Sequence, residues 1–332
     1  SNPINCTFIG DSSLSKRSMS RVTQHLEKIG SDIKLTKKDF LPVMISGNEN
    51  LLPVDHTMTK ASAQIKSALI LAGLNIHGKT RIIENRPTRD HTERLLEYLK
   101  VKFVKRIRKN GITKIELNGP YEIQPRNIQV ASDPSSAAFF VVGALITPFS
   151  KITLKNICLN PTRIAYIKIL KKMGGKIKIK KTKTICGESI GDIRVETSKL
   201  KAIQIDSSLA PSLIDEYPIL AIAATQARGK TIMRGLSELR HKESDRIRSI
   251  VVNLKKLGHK IDTKKDDIII TGKKIDLNKT YKIKTYKDHR IAMSFLILNL
   301  ISNNKIKVDD ENCIKISYPY FKKHLNQLVQ NT

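Results

Sequence analysis

Two kinds of apolar segment alternate along the chain, and each kind predicts a different helix. The first kind is rich in small residues and apolar on nearly every face, as in AIAATQA (221–227), which indicates a helix buried on all sides. The second kind is one-sided: between 247 and 257 apolar residues recur at helical spacing, which indicates a helix lying on a sheet. Polar turns and β-type stretches follow both kinds, so we predict an α/β protein.

These segments recur in a fixed order, which predicts a repeated βαβαββ module. The small-residue helix and its strand occupy 61–85, 135–157, 215–235 and 289–310, and the one-sided helix and its strand occupy 22–35, 92–105, 165–179 and 247–262. The spacing of about 70 to 85 residues is too long for a solenoid. We therefore expect one partial module, three fuller modules and a closing piece.

Local signals set the expected boundaries of these modules. The chain opens inside a module, at a one-sided helix expected over about Arg17–Ile29. Gly30, Gly174 and Gly258 stand where the one-sided helices should end, since glycine favours the left-handed conformation of a helix C-cap. A new module begins at IQVASDPSSAAFF, so we place a domain boundary at 130/131, giving domains 1–130 and 131–332.

Composition narrows the possible partners. The 332 residues carry a formal net charge of +30, which favours anionic partners. The excess is spread over many lysines beside isoleucines, as in KIKIKKTKTI, so permissive surface positions explain it about as well. Aromatic residues make up 5% with no tryptophan, which argues against a stacking platform for single-stranded nucleic acid. The four cysteines are widely spaced, so we expect no disulfide framework and a reducing cytoplasm.

One familiar motif is rejected on its context. Residues 73–80 match GxxxxGK[ST], the phosphate-binding P-loop pattern. That chemistry needs a strand before the loop and a helix after it, so that free backbone N–H groups point at the phosphates. Here the expected order is reversed, and the same GKT turn recurs at Gly229. We interpret both as entries into strands.

Six polar clusters fall at the expected ends of helices and strands. They are GDSSLSKRSM with Arg17, KASAQIKS with Ser62 and Gln64, TRDHTER with Arg89, SLIDEYP with Asp215, ELRHKESDRI (238–247) and YKDHRIAM with His289 and Arg290. Any one of them has an ordinary explanation as a helix cap or a carbonyl partner. Together, the recurring Arg and Lys suit a substrate with several phosphate or carboxylate groups, and Asp215 and Glu243 could transfer protons.

These motifs, in order and spacing, resemble the EPSP (5-enolpyruvylshikimate-3-phosphate) synthases, the enolpyruvyl transferases of the shikimate pathway. The resemblance runs through SAQIKSALILAGL, RDHTERLL, DPSSAAFF, IDEYPILAIAATQARGKT, ELRHKESDRI and DHRIAM, essentially the whole chain. It implies a two-domain inverted α/β architecture of βαβαββ units about pseudo-threefold axes. It also implies addition and elimination between phosphoenolpyruvate and shikimate 3-phosphate, in a monomer without metal or organic cofactor, and no nucleic-acid or membrane partner.

The resemblance also implies roles for individual residues. Shikimate 3-phosphate would be bound by Ser62, the backbone of Ala63, Gln64 and Arg89. Asp215 would deprotonate its 5-hydroxyl, and Glu243 would relay the proton at the phosphoenolpyruvate methylene, with Lys242 as a further catalytic group. Phosphoenolpyruvate would be clamped by Arg17, Lys242, Arg246 and Arg290, with His289 beside them. Asp133 and Arg240 would be structural. Thr88 stands where the family usually has serine.

Two family motifs, an early Lys-Ser and a Gly-Asn-[Ala/Ser]-Gly-Thr loop, do not occur and would belong N-terminal to Ser1. We therefore expect an incomplete first domain and an isolated chain that is inactive. The nearest rival is the sister enzyme acting on UDP-N-acetylglucosamine, but Ser12 stands where that enzyme carries a reactive cysteine. A rival from another class is a basic scaffold that binds nucleic acid, which the net charge motivates.

Overall fold

The structure, a computed structural model, describes residues 4–11, 14–37, 39–59, 61–109, 111–274 and 278–330. It divides into two compact units, the first ending at Ile128 and the second beginning at Gln129. Among the described residues, no helix combines the length and the apolar character needed to cross a membrane. None of the four cysteines, all within the described residues, forms a disulfide.

The first unit contains two sheets with their helices. Its elements are β1 (Asn5–Phe8), α1 (Ser20–Glu27), β2 (Asp32–Lys37), β3 (Phe40–Ser46), β4 (Asp55–Met58), α2 (Ala63–Gly73), β5 (Gly78–Glu84), α3 (His91–Tyr98), β6 (Phe103–Ile107) and β7 (Thr113–Gly119). One sheet has the order β1-β3-β2 and the other β4-β5-β7-β6. In the second sheet β4 is parallel to β5, and β7 is antiparallel to both of its neighbours.

The second unit repeats this arrangement. Its elements are α4 (Pro134–Ile146), β8 (Lys151–Cys158), α5 (Ala165–Lys172), β9 (Lys176–Ile185), β10 (Glu188–Glu196), β11 (Gln204–Ile205), α6 (Ala210–Leu213), α7 (Tyr217–Thr225), β12 (Gly229–Met233), α8 (Arg246–Lys256), β13 (Ile261–Lys264), β14 (Asp267–Gly272), β15 (Tyr281–Ile283), α9 (His289–Asn299), β16 (Ile306–Val308), α10 (Asn312–Lys315) and α11 (Phe321–Gln330). The sheet orders are β8-β10-β9, β11-β12-β14-β13 and β15-β16. Strand order therefore matches between β4–β7 and β11–β14.

The predicted module is confirmed by this topology. The β4–β7 and β11–β14 stretches are complete βαβαββ modules, and the β8–β10 stretch has an isolated parallel bridge from Ser132 to Ile157 in place of its first strand. The first stretch is partial, and the β15–β16 pair with its helices closes the chain. The P-loop interpretation is excluded, as expected, because helix α2 precedes Gly78 and strand β5 follows it.

Two helices start later than their sequences predict, and local hydrogen bonds explain both. Helix α1 begins at Ser20 rather than near Arg17, because the Asp39 carboxylate accepts a bond of 2.7 Å from the Ser20 N–H. Helix α8 begins two residues after Ser244, because the Asp245 carboxylate accepts a bond of 3.0 Å from Arg248 N and so acts as the N-cap. At each of these two helix starts, an aspartate carboxylate accepts a hydrogen bond from a backbone N–H that has no partner within the helix.

The predicted glycine C-caps are confirmed. Gly30, Gly174 and Gly258 have φ of +94°, +93° and +89°, and each N–H donates to a carbonyl in the last turn of the preceding helix. Side chains disfavour this left-handed conformation, so glycine is the residue that ends these helices at lowest cost. The turns bring the chain directly into β2, β9 and the region before β13.

The core of the second unit forms around three apolar helices. Helices α4, α7 and α9 pack against one another, and every residue of α7 from Tyr217 to Thr225 is buried. The prediction of all-round burial is wrong for α2, where Leu71 is 51% exposed. Helix α2 packs on β5 and β7 and against α1, and Lys66 and Ser67 also contact α3, whereas Leu71 lies on a side of α2 that reaches solvent.

Candidate active site

Three helix N-termini of the second unit present the polar residues that the sequence singled out. Asp215 lies two residues before α7, Lys242 and Glu243 lie in the approach to α8, and His289 and Arg290 open α9. The helices α7, α8 and α9 contact one another, so side chains at their starts can meet. Helix N-termini also carry partial positive charge, which favours anions there.

The Arg246 guanidinium joins these three starts. Its side chain is 0% exposed, and Nε donates to Asp288 Oδ2 at 2.9 Å. Nη2 donates to Glu243 Oε2 at 2.6 Å, and Nη1 lies 3.5 Å from Asp215 Oδ1. One buried cation therefore holds three carboxylates, one from each helix start. A buried arginine needs such partners, because desolvation disfavours its charge.

Asp215 is held from a second side by Arg290. The Arg290 Nη1 donates to the Asp215 carbonyl oxygen at 3.2 Å, and its Nε lies 3.7 Å from Asp215 Oδ1. The Asp215 and Arg290 side chains are 19% and 14% exposed, so both retain access to solvent. Asp215 is thus fixed in orientation yet still reachable by a ligand.

Lys242, Glu243 and His289 complete the cluster at its open side. The Glu243 side chain is 22% exposed, and Lys242 and His289 are half-buried. Burial, followed by the neighbouring Arg290 charge, lowers the pKa of His289. Its imidazole is therefore neutral at pH 7, and it can contribute hydrogen bonds there rather than a positive charge.

A chain of polar contacts continues beneath Asp215. Glu216 is buried, and its carboxyl accepts a hydrogen bond from Ser135 Oγ. Arg163 Nη2 donates to the same hydroxyl at 2.9 Å and to Asp133 Oδ1 at 2.8 Å. Burial, followed by the adjacent Asp215 charge, raises the pKa of Glu216. Asp133 also caps α4 through Ser135 N and Ser136 N, which is the structural role predicted for it.

The loop before α8 is tied down by Arg240. Its Nε donates to Asp266 Oδ1 at 2.9 Å, its Nη1 to Asp245 Oδ2 at 3.2 Å and its Nη2 to the Lys265 carbonyl at 3.1 Å. The structural role predicted for Arg240 is confirmed by these contacts. They hold the 3₁₀ turn Ser237–His241 that leads into Lys242 and Glu243.

Two arginines bridge the carboxylates of this cluster. Arg246 pairs with Asp215, Glu243 and Asp288, and Arg290 pairs with Asp215. The hydrogen bonds of Arg246 within the described part of the chain all go to carboxylates, so this guanidinium organises the acids. The role of Arg246 as a clamp on phosphoenolpyruvate stays a prediction. Lys242 and Arg290, which are less buried, are better placed to meet an anion.

The first unit presents a second group of predicted residues at the start of α2. Ser62 is the N-cap, and its Oγ accepts from Ile65 N at 3.4 Å. Ala63 and Gln64 form the first turn, and the Gln64 side chain is exposed. Arg89 lies half-buried between β5 and α3, and Arg17 lies half-buried between a 3₁₀ turn and α1. The free N–H groups of such a helix start suit a phosphate.

Sequence reasoning missed two groups. Asp288 stands in the DHRIAM motif, but the motif alone assigns it no role; its 0% exposed carboxylate pairs with Arg246 and caps α9 through Arg290 N. An aspartate directly before an apolar helix is the N-cap pattern that signals this position. Lys66 lies in the apolar helix α2 and is fully buried between Glu84 and Glu93.

Ser12, the residue that distinguishes this chain from the sister enzyme in the sequence comparison, lies outside the described residues. Among the residues that the structure does describe, no group of three or more His, Cys, Asp or Glu side chains is arranged to hold a metal ion.

Comparisons with known proteins agree on one family. The sequence profile of EPSP synthase (3-phosphoshikimate 1-carboxyvinyltransferase) matches residues 1–325. The 3-phosphoshikimate 1-carboxyvinyltransferase of Sphingopyxis alaskensis is 43% identical over 335 aligned positions, which cover 99% of this chain and 75% of that protein. That of Petrotoga mobilis is 44% identical, over 94% of this chain and 71% of its own length.

Solved structures give the same result. EPSP synthase from Acinetobacter baumannii superposes with a TM-score of 0.85 and 39% identity, over 98% of this chain and 74% of that one. The enolpyruvyl transferase NikO from Streptomyces tendae shares the fold, with a TM-score of 0.71, at 13% identity. These findings confirm the predicted two-domain α/β fold class and the resemblance on which the residue roles rest. The chain belongs to the EPSP synthase family.

Proposed function

We propose that this chain carries the active-site residues of an enzyme that transfers the enolpyruvyl group of phosphoenolpyruvate to the 5-hydroxyl of shikimate 3-phosphate and releases phosphate. The observation that carries the proposal is the pair of partly exposed carboxylates, Asp215 and Glu243, that the buried Arg246 holds together. The transfer needs one group to take a hydroxyl proton and another to handle a carbon-bound proton, and two fixed carboxylates supply both. The family's activity supports the assignment.

In the addition step, Asp215 takes the proton of the 5-hydroxyl as its oxygen bonds to C2 of phosphoenolpyruvate. Glu243, as the carboxylic acid, gives a proton to C3, so the double bond becomes a methyl group on a tetrahedral carbon. In the elimination step C3 returns that proton to Glu243, the C2–O bond to phosphate breaks, the double bond re-forms, and the departing phosphate takes the proton held by Asp215. The same two carboxylates therefore serve both steps.

Each unit carries its own cations and free N–H groups that suit anions. In the second unit Lys242 and Arg290 would hold the phosphate and carboxylate of phosphoenolpyruvate, with Arg246 and His289 behind them. In the first unit Arg17 would contact phosphoenolpyruvate, while Ser62, Ala63 N–H, Gln64 and Arg89 would bind shikimate 3-phosphate. Preorganised cations stabilise developing charge better than water does, because they need no reorganisation. Residues 1–130 are thus proposed as the shikimate-3-phosphate domain and 131–332 as the second domain.

Binding of the first substrate tests this function. Isothermal titration calorimetry of the chain with shikimate 3-phosphate should show one saturable site, and UDP-N-acetylglucosamine should give no heat. Arg89→Ala should weaken binding, while Arg106→Ala, an exposed arginine on β6 of the same unit, should not. Absence of shikimate 3-phosphate binding together with salt-dependent binding of DNA would refute the proposal and favour the nucleic-acid-binding scaffold.

Several finer statements stay predictions with their own tests. The monomeric state is testable by analytical ultracentrifugation, and the cytoplasmic location by cell fractionation. The transfer activity is tested by assaying phosphate release from the two substrates, with the chain alone and with an N-terminal extension taken from the Sphingopyxis relative.

A further inference from the structure

A buried ion cluster lies under the α2 start and is not part of the roles described above. The Lys66 side chain is 1% exposed, with Nζ 3.1 Å from Glu84 Oε2 and 2.8 Å from Glu93 Oε1. The Glu84 and Glu93 side chains are 3% and 1% exposed. Lys66 comes from α2, Glu84 ends β5 and Glu93 lies in the first turn of α3. One ammonium therefore joins three elements of the first unit.

Such a cluster is unusual in a core. Lysine and glutamate are seldom fully buried unless paired, because removing their charges from water is costly. Here the Lys66 ammonium faces two carboxylates, and Lys105 Nζ lies 3.9 Å from Glu93 Oε1. Apolar residues of similar volume would often fill such a space with no loss of stability. The position of the cluster in the fold offers a reason for the charges.

The cluster connects the two parts of the proposed shikimate-3-phosphate site. The Lys66 N–H donates to the Ser62 carbonyl at 3.1 Å, so Lys66 stands one helical turn behind the phosphate-binding start of α2. On the other side, Glu84 Oε1 accepts a short hydrogen bond from Thr88 Oγ1, the residue before Arg89. Both ends of the loop 85–90, which carries Arg89, are therefore anchored on Lys66 through Glu84 and Glu93.

We propose that Lys66 is a positioning residue that fixes the Arg89 loop relative to the start of α2, and so sets the affinity for shikimate 3-phosphate. This inference rests on the proposed function. Lys66 touches no substrate; it acts through Glu84, Thr88 and Arg89. The effect should be confined to shikimate 3-phosphate binding because of where the cluster lies. It supports the groups of the first unit that would hold this substrate, whereas the acids around Arg246 belong to the second unit.

The test uses a variant that keeps the charge of the cluster. Lys66→Met with Glu93→Gln removes one cation and one anion, so the net charge of the cluster stays at −1. We expect the dissociation constant for shikimate 3-phosphate, measured by calorimetry, to rise at least about tenfold, because small misplacements of binding groups have effects of that size or larger. In the N-terminally extended protein, the KM for phosphoenolpyruvate should change less than about twofold, since its contacts lie elsewhere.

Glu116→Gln is the matched control. Glu116 is 10% exposed on β7 of the same sheet and pairs with Lys79, Arg81 and Lys114, but not with the Arg89 loop. It should leave shikimate 3-phosphate binding unchanged. Thr88→Val is a second route: it leaves the ion cluster intact and cuts only the bond from Glu84 to the loop, so it should weaken the same binding even if the double variant fails to fold.

A double-mutant cycle separates positioning from mere stability. If Lys66 acts through Arg89, the cluster change should cost little further affinity once Arg89→Ala is in place, so the two effects should not add. Additive effects, or wild-type affinity in both the folded double variant and Thr88→Val, would overturn the inference while leaving the proposed function standing. Failure of the wild-type chain to bind shikimate 3-phosphate would instead overturn the proposed function, and this inference with it.

Discussion

Replacing Arg246 by methionine removes the cation that three carboxylates share. Its side chain is 0% exposed, and the side chain of its partner Asp288 is also 0% exposed. Methionine fills much of the same space but leaves the Asp288 carboxylate buried without its counter-charge. The other two partners, Asp215 and Glu243, are about one-fifth exposed and regain some hydration. The main loss therefore comes from Asp288.

Its size can be estimated from the burial of that pair. Removing one partner of a buried ion pair costs about 3–5 kcal/mol, and full burial of both side chains leaves no reason to reduce this figure for solvent screening. For a unit of about 200 residues, each kcal/mol lowers the melting temperature by roughly 2–4 °C. Arg246→Met should therefore lower the Tm by about 6–20 °C.

Differential scanning calorimetry at pH 7 measures this shift. Arg248→Met is the matched control, because Arg248 lies two residues on in the same helix and is exposed, so its replacement should change stability by less than about 0.5 kcal/mol. If Arg246→Met melts within about 2 °C of the Arg248→Met control, Arg246 is not the electrostatic centre of the cluster and the reasoning fails.

Three further changes probe other parts of the account. Burial lowers the pKa of His259 to about 4, so the folded protein disfavours the protonated imidazole, and the free energy of unfolding should fall by about 3 kcal/mol as the pH drops from above 6.5 to 4. His259→Leu should flatten the curve of Tm against pH, and a curve parallel to that of the wild type would contradict this. Gly272→Ala places a Cβ 1.6 Å from the Ala227 carbonyl oxygen and should lower stability in urea by more than about 2 kcal/mol, whereas Gly143→Ala, inside α4, should not. Asp245→Ala removes the α8 cap and should lower the urea-unfolding free energy by about 1 kcal/mol; an unchanged midpoint would exclude a capping role.

Much of the fold could be predicted from the sequence because its signals are local. Helix periodicity, capping glycines and the GKT turns are read within a few residues, and they repeat, so each module supports the next. The start of α1 could not be predicted in the same way, since it depends on Asp39, which lies nineteen residues beyond Ser20 in the chain. The exposure of Leu71 likewise depends on which helices pack beside α2.

The candidate site was predictable as a set of residue types but not as a network. The motifs identified Asp215, Glu243 and Arg246 as a group. That Arg246 would be fully buried among carboxylates depends on contacts between residues 31 and 42 positions apart, which no local pattern records. Lys66 was hidden for the same reason, because its partners come from β5 and α3. A charged residue within an apolar helix, such as Lys66 in α2, is the sequence signal that indicates a buried ion pair.

The central claim is that Asp215 and Glu243 move the two protons of an enolpyruvyl transfer. Phosphate release from shikimate 3-phosphate and phosphoenolpyruvate, followed in the N-terminally extended protein, tests it directly. We expect Asp215→Ala and Glu243→Gln each to lower kcat by about 100-fold or more, the usual contribution of a general acid or base, with the shikimate 3-phosphate dissociation constant of Glu243→Gln close to wild type. Full activity in both variants would contradict the account.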